Sequence, residues 1–224
     1  MTITVSALFR AAALAAATAG TIFVAVQINH PPMVAASAEL TEWTVRSCAK
    51  AVMAALALAG ITGMYLRQYR RVGLLGLAGY LIFAAGYLSM VGVEIMAATV
   101  LPGLARTNPA YVNDVIVAAA GGHPAGDIGG LQMLFNLSGA GYMLGGLLFG
   151  IALFRSGVLA RWASALLAAG TAGTASLAVL PESFNRPIAV PVGVALVGLG
   201  VSLWRNHASS ALEDAPPVLQ PAGR

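Results

Sequence analysis

Charge is what this chain has least of. Charged residues make up 9% of its 224 positions, against about a quarter in a soluble domain. That is too little to cover a water-facing surface, and it excludes a soluble enzyme. Cysteine occurs once, as Cys48, which rules out an intrachain disulfide and any paired-cysteine metal or redox centre. Set in an apolar run, Cys48 reads as a small packing residue. Histidine occurs three times, at His30, His123 and His207. All three fall outside the apolar runs, which argues against a bis-histidine haem within the membrane. There is no phosphate-binding loop, no nucleophile elbow, no zinc-protease motif and no dinucleotide fingerprint. The net charge is +4, but the 12 Lys and Arg are scattered at the ends of apolar runs. They lack the clustered basic face that nucleic-acid binding needs, so no nucleic-acid partner is expected.

What the chain does have is apolar length. Hydrophobic residues make up 58%, Gly alone supplies 26 positions, and the mean hydropathy is +0.82. A helix needs about 20 apolar residues to cross a bilayer. Six segments qualify, at roughly 8–28, 47–66, 72–95, 131–154, 158–180 and 187–204. The first continues through Ile22-Phe23-Val24 and reads as an uncleaved span rather than a leader peptide. Residues 1–204 are thus expected to form one all-α, six-transmembrane-helix bundle. Residues 205–224, with Glu213-Asp214 and Pro216-Pro217, read as a short disordered cytoplasmic tail.

Lys and Arg favour the cytoplasmic side. With the N-terminus inside, Arg10, Arg67, Arg70, Arg71, Arg155, Arg161, Arg205 and Arg224 lie on the inner side. Arg46, Lys50, Arg106 and Arg186 lie on the outer side. The expected topology is therefore N-in/C-in and multi-pass. Trp162 and Trp204 then sit at the inner interface and Trp43 at the outer one. Short inner turns at Arg67–Arg71 and Arg155–Gly157 make helices two and three, and four and five, antiparallel neighbours. Gly139-x-Gly141-x3-Gly145-Gly146-x3-Gly150 gives the fourth helix a small-residue stripe for close backbone packing. Its first use is within the bundle; a homodimer is the alternative.

Residues 101–130 form the longest outer loop, punctuated by Pro102, Asn108-Pro109, Gly121-Gly122, Pro124 and Gly129-Gly130. Within it, Tyr111 to Ala120 is expected to form a short apolar helix. The loop reads equally as a lid over a binding site or as a plain connector.

Ionisable groups inside a span are costly and are functional candidates by default. Only one acid qualifies, Glu94. It lies 22 residues beyond Val72, about 33 Å along the helix, near the outer edge of the hydrocarbon rather than at the midplane. Tyr80, Tyr87 and Glu94 recur every seven residues and share one stripe. Lys50, Gln132 and Asn136 have a compatible depth. The candidate ligand-binding set is therefore Glu94, Tyr87, Lys50, Gln132 and Asn136. The plain alternative is that Glu94 pairs with Lys50 or reaches the headgroups, fixing helix register. No spacing in the chain supplies the second group that a catalytic carboxylate needs. His123, Asp127 and Asp114 have a faint metal-ligand look but fix no ligand set, so neither metal nor cofactor is expected.

Two stretches carry a resemblance. They are Glu94-x7-Pro102-x-Leu104-Ala105-x3-Pro109, and Phe154-Arg155-Ser-Gly-Val-Leu-Ala-Arg161-Trp162. Together they resemble uncharacterised actinobacterial-type multi-pass integral membrane proteins of unknown function, which share an inner turn of this kind. Ala160 stands where a Pro is usual. The resemblance spans roughly residues 70–204 and implies a plasma-membrane helical bundle, with no activity to carry over. Three functional readings follow. The first is a non-enzymatic partner subunit or a binder of a small or lipid-like ligand at the outer face. The second is a small-molecule or ion transporter, and the third a membrane-embedded enzyme acting on lipid.

Overall fold

The computed structural model describes residues 4–178 and 186–213, with side chains omitted at 177–178 and 207–213. Its described residues form helices and no strand. Thr4 starts the first helix, α1 (Val5–Ala25), by accepting the Ala7 N–H on its hydroxyl at 3.2 Å. A four-residue helix, α2 (Ala35–Ala38), precedes α3 (Thr41–Thr99). Two short helices, α4 (Leu101–Thr107) and α5 (Pro109–Ala119), lead to α6 (Gly130–Ser156). Then come α7 (Arg161–Gly173) with a 3-10 extension (Thr174–Ala178), a 3-10 turn (Pro187–Ala189) and α8 (Val190–Glu213).

A straight helix of 59 residues would run about 88 Å, nearly three bilayer cores. Instead α3 folds back on itself. Gln68 (φ −139°, ψ 20°) and Gly73 (φ 58°, ψ −160°) leave helical geometry, and only glycine takes the second conformation readily. Contacts between the two arms follow a hairpin register. Trp43 Nε1 donates to the Ala97 carbonyl at 3.0 Å, Lys50 meets Glu94, and Tyr65 stacks on Tyr80 at 4.6 Å. Near the turn, Gln68 donates to the Met64 carbonyl and accepts a hydrogen bond from Ser156 at the end of α6. The turn is thereby fastened to its neighbour.

Small residues set the distance between α3 and α6. A Cβ on Gly86 would lie 2.6 Å from the Tyr142 backbone nitrogen, and one on Gly79 2.5 Å from that of Phe149. Gly145 meets the Phe83 backbone, Gly146 meets Thr171, and Gly150 meets Ala168 of α7. Most of the glycine stripe is therefore used within the chain, while Gly139 faces open space. On the opposite face of the second arm, Leu74, Leu81, Leu88 and Ile95 recur every seven residues and are all exposed. An exposed apolar row of this kind has no place in water. Among the described residues, four helices are long and apolar enough to cross a membrane: Val5–Ala25, Thr41–Thr99, Gly130–Ser156 and Pro187–Asn206. Together these features describe a membrane-embedded helical bundle.

Several expected boundaries move. The span expected at 158–180 is helical only over Arg161–Gly173 before tightening to 3-10, and its last residues lie outside the described ones. The tail expected from 205 begins as helix, since α8 continues to Glu213; residues 214–224 lie outside the described ones. Cys48, expected to pack, is exposed.

Candidate functional site

The expected loop 101–130 is largely structured, and it builds a second small core on one end of the bundle. Asn108 caps α5 by accepting the Tyr111 N–H at 3.2 Å, and Pro109 occupies the first turn, where its missing N–H costs nothing. The helix ends at Ala119, just before Gly121, which takes φ 83°. Leu101, Ala105, Val112, Val115, Ile116 and Ala118 of this cap are buried against Ala35, Ala38, Trp43, Ala97, Ile128 and Phe135. Ala35 N–H donates to the Asn113 side chain at 2.8 Å, tying α2 to α5. Asp114 accepts the N–H groups of Ala125 and Gly126 at 2.9 and 3.1 Å, and Asp127 accepts that of Gly129 at 2.7 Å. Both carboxylates are thus engaged in shaping the loop. No group of three or more His, Cys, Asp or Glu suited to a metal occurs among the described residues.

Beneath the cap the two arms of α3 bring Lys50 and Glu94 together, with Nζ 3.7 Å from Oε1. The side chains are 19% and 15% exposed. This ion pair is longer than a direct hydrogen bond, and Glu94 also accepts from the Ser47 hydroxyl; the ammonium keeps donors, and the carboxylate its remaining lone pairs, for a further group. Ser47, one turn before Lys50, and Trp43 face the same space. A cavity of about 50 Å³ opens over Ser47, Lys50 and Glu94, walled otherwise by apolar side chains such as Leu101, Val115, Ile116 and Phe135. It has room for about three water molecules.

Around this pair lies a cationic collar. Arg46 pairs with Glu42 at 2.6 Å and donates to the Val26 and Asn29 carbonyls at 3.0 and 3.1 Å. In doing so it fastens the chain leaving α1, where Asn29 takes φ 50°. Arg186 reaches Gln27 and lies 3.0 Å from His30 Nδ1. The same nitrogen is 2.8 Å from the Pro31 carbonyl. The first contact needs a lone pair on Nδ1 and the second a proton, so they exclude one another. Burial, aided by the charges of Lys50, Arg186 and Arg46 and opposed by the Pro31 contact, pushes the His30 pKa down from 6.5 to about 4. His30 is therefore neutral at ordinary pH.

Of the five expected site residues, the structure brings two together, Lys50 and Glu94. Tyr87 lies two turns below, fully buried, its ring edge-on to Tyr142 at 6.0 Å. The hydroxyls of Tyr87 and Tyr142 have no hydrogen-bond partner among the described residues. Gln132 and Asn136 are not part of the cavity. They bond to one another at 3.1 Å on an exposed face, and Phe135 takes the inward position between them. Their depth is right, but their direction around the helix axis is not. Sequence reasoning missed Ser47, whose position one turn from Lys50 is a usable signal. It also missed Arg186 and His30, which are 156 residues apart and share no local pattern. Comparison with known protein families, curated proteins and solved structures yields no match.

Proposed function

We propose that this chain is a six-span plasma-membrane protein, N-in/C-in, whose outer end binds the polar head of a small lipid-like ligand. The crossings are α1, the two arms of α3, α6, α7 with its 3-10 extension, and α8. Thirteen α-helical and five 3-10 residues in α7 add up to about 30 Å, which matches the hydrocarbon core. The arginine-rich 68–73 turn and α6 end then face the cytoplasm, and the capped end faces out.

The observation that carries the ligand reading is the Lys50–Glu94 pair, held 3.7 Å apart on the floor of an otherwise apolar cavity. A binding site combines apolar walls with a few convergent polar groups, and here one donor and one acceptor face the same space. At about 50 Å³ the cavity admits a hydroxyl, amide or similarly compact head, with the apolar remainder of the ligand directed toward lipid. The transport reading has less support. Immediately below, the bundle is filled by Phe83, Tyr87, Tyr142 and Phe149, all buried, with the other three rings each in contact with that of Phe83. Among the described residues the catalytic reading has Lys50, Glu94 and the Ser47 hydroxyl to draw on, and the two charged groups compensate each other.

Native mass spectrometry of the full chain, extracted in mild detergent, tests this. The wild type should carry an adduct of amphiphile mass, and Lys50→Met/Glu94→Leu, which keeps the volume apolar, should lose it. An identical adduct in both proteins, or none in either, would contradict the reading.

A further inference from the structure

The opposite end of the bundle has an excess of positive charge and a gap beside it. Arg10 lies over Trp204 at 5.7 Å, Arg67 over Phe9 at 6.0 Å, Arg70 over Tyr69 at 5.6 Å and Arg161 over Phe154 at 5.8 Å. These four guanidiniums use aromatic faces of the chain itself. Arg71 and Arg155 have no ion pair and no ring contact among the described residues. Both line one groove of about 240 Å³ between the α3 turn and the end of α6. A hydrogen bond fastens the two sides of the groove to each other. Ser156, next to Arg155, donates to Gln68 of the turn, and Gly73, at φ 58°, has open space around it. Every described carboxylate side chain (Glu39, Glu42, Glu94, Asp114, Asp127) belongs to the capped end. Two like charges facing one gap repel unless an anion lies between them, and among the described side chains no acid is near enough to supply it.

We infer that this groove is a phosphate-binding site, formed by Arg71 and Arg155 and filled by the headgroup phosphate of an anionic phospholipid in the adjoining leaflet. A guanidinium presents a fork of N–H donors that matches phosphate oxygens, and basic pockets between helices on this side of a membrane suit anionic headgroups. The groove's exposed rim, with Leu74 and Leu75 beside the arginines, leaves the acyl chains against lipid-facing helix. The inference is independent of the outer cavity.

The test is native mass spectrometry of the full chain in detergent, titrated with equal phosphatidylglycerol and phosphatidylcholine. The wild type should prefer phosphatidylglycerol, and Arg71→Gln/Arg155→Gln should lose about 30-fold of that affinity, each single variant about five-fold. Arg10→Gln, at the same end but on a Trp ring, should change it by less than about two-fold. Circular dichroism checks folding, and the single variants decide the matter if the double variant misfolds. In a second arm, inorganic phosphate replaces lipid. Arginine-dependent protection by phosphate, without preference between the lipids, would keep the site and assign it to a soluble phosphate. Equal phosphatidylglycerol retention by wild type and both single variants, with no phosphate effect, would overturn the proposal.

Discussion

Glu94→Gln isolates the charge at the centre of the capped-end site. At 3.7 Å, and with an effective dielectric of about 20, the Lys50–Glu94 attraction is about 4.5 kcal/mol before desolvation is counted. Both side chains keep some exposure, 19% and 15%, so water screens part of it, and the net cost of removing one partner should be about 2–3 kcal/mol. Removing both should cost less than removing either. Lys50→Met/Glu94→Leu leaves no uncompensated charge beneath the cap, and apolar replacement of such a pair is often close to neutral. The assay is a double-mutant cycle built from Lys50→Met, Glu94→Leu and their combination, with Glu94→Gln alongside as the charge-only variant, read as equilibrium unfolding in mixed micelles by far-ultraviolet circular dichroism. The expected coupling energy is about 2 kcal/mol. Single variants that each cost under about 0.5 kcal/mol with no coupling would show that the two groups are solvated independently, and would refute the argument.

Two further outcomes follow from the same geometry. Gly145→Ala places a methyl against the Phe83 backbone of α3, where nothing flexible can yield. It should destabilise by about 2–3 kcal/mol, whereas Gly139→Ala, with no atom within 4 Å, should be neutral or slightly stabilising; thermal unfolding of the pair checks both. His30 titrates near 4 when folded and 6.5 when unfolded, so between these values the unfolded chain binds more protons and stability rises with pH. The full shift of 6.5 to about 4 is worth about 3.4 kcal/mol, and screening of a half-buried ring reduces this to about 1–2 kcal/mol. Stability should therefore fall as pH drops from 6.5 to 4, and His30→Gln should flatten that part of the profile relative to wild type.

The depth of each polar group was legible in the sequence, because helical rise converts residue number directly into height. That is why Lys50 and Glu94 can be paired on paper. Direction around the helix axis was not, because it depends on which face the neighbouring helices choose. Gln132 and Asn136 share the right height, yet Phe135 points inward and they do not. The cap helix was readable from Asn108-Pro109 and Gly121-Gly122, which start and stop it by local chemistry. The density of the cap was not readable, since Asn113 bonding to Ala35 depends on contacts 78 residues apart. Charge pattern located the turn at 67–71, but not that helical geometry persists through most of it, broken only near Gln68 and Gly73. Arg186 and His30 belong to the site only because the ends of α1 and α8 meet there.

The claim that the Lys50–Glu94 cavity lies on the outer face is tested most directly by thiol accessibility in intact cells. In a Cys48→Ser background, a single cysteine replaces either His123, exposed beside the cap, or Arg70, exposed in the α3 turn. A membrane-impermeant maleimide should label His123→Cys in intact cells and Arg70→Cys only after permeabilisation. Labelling of Arg70→Cys in intact cells, with His123→Cys protected, would invert the topology and contradict the account.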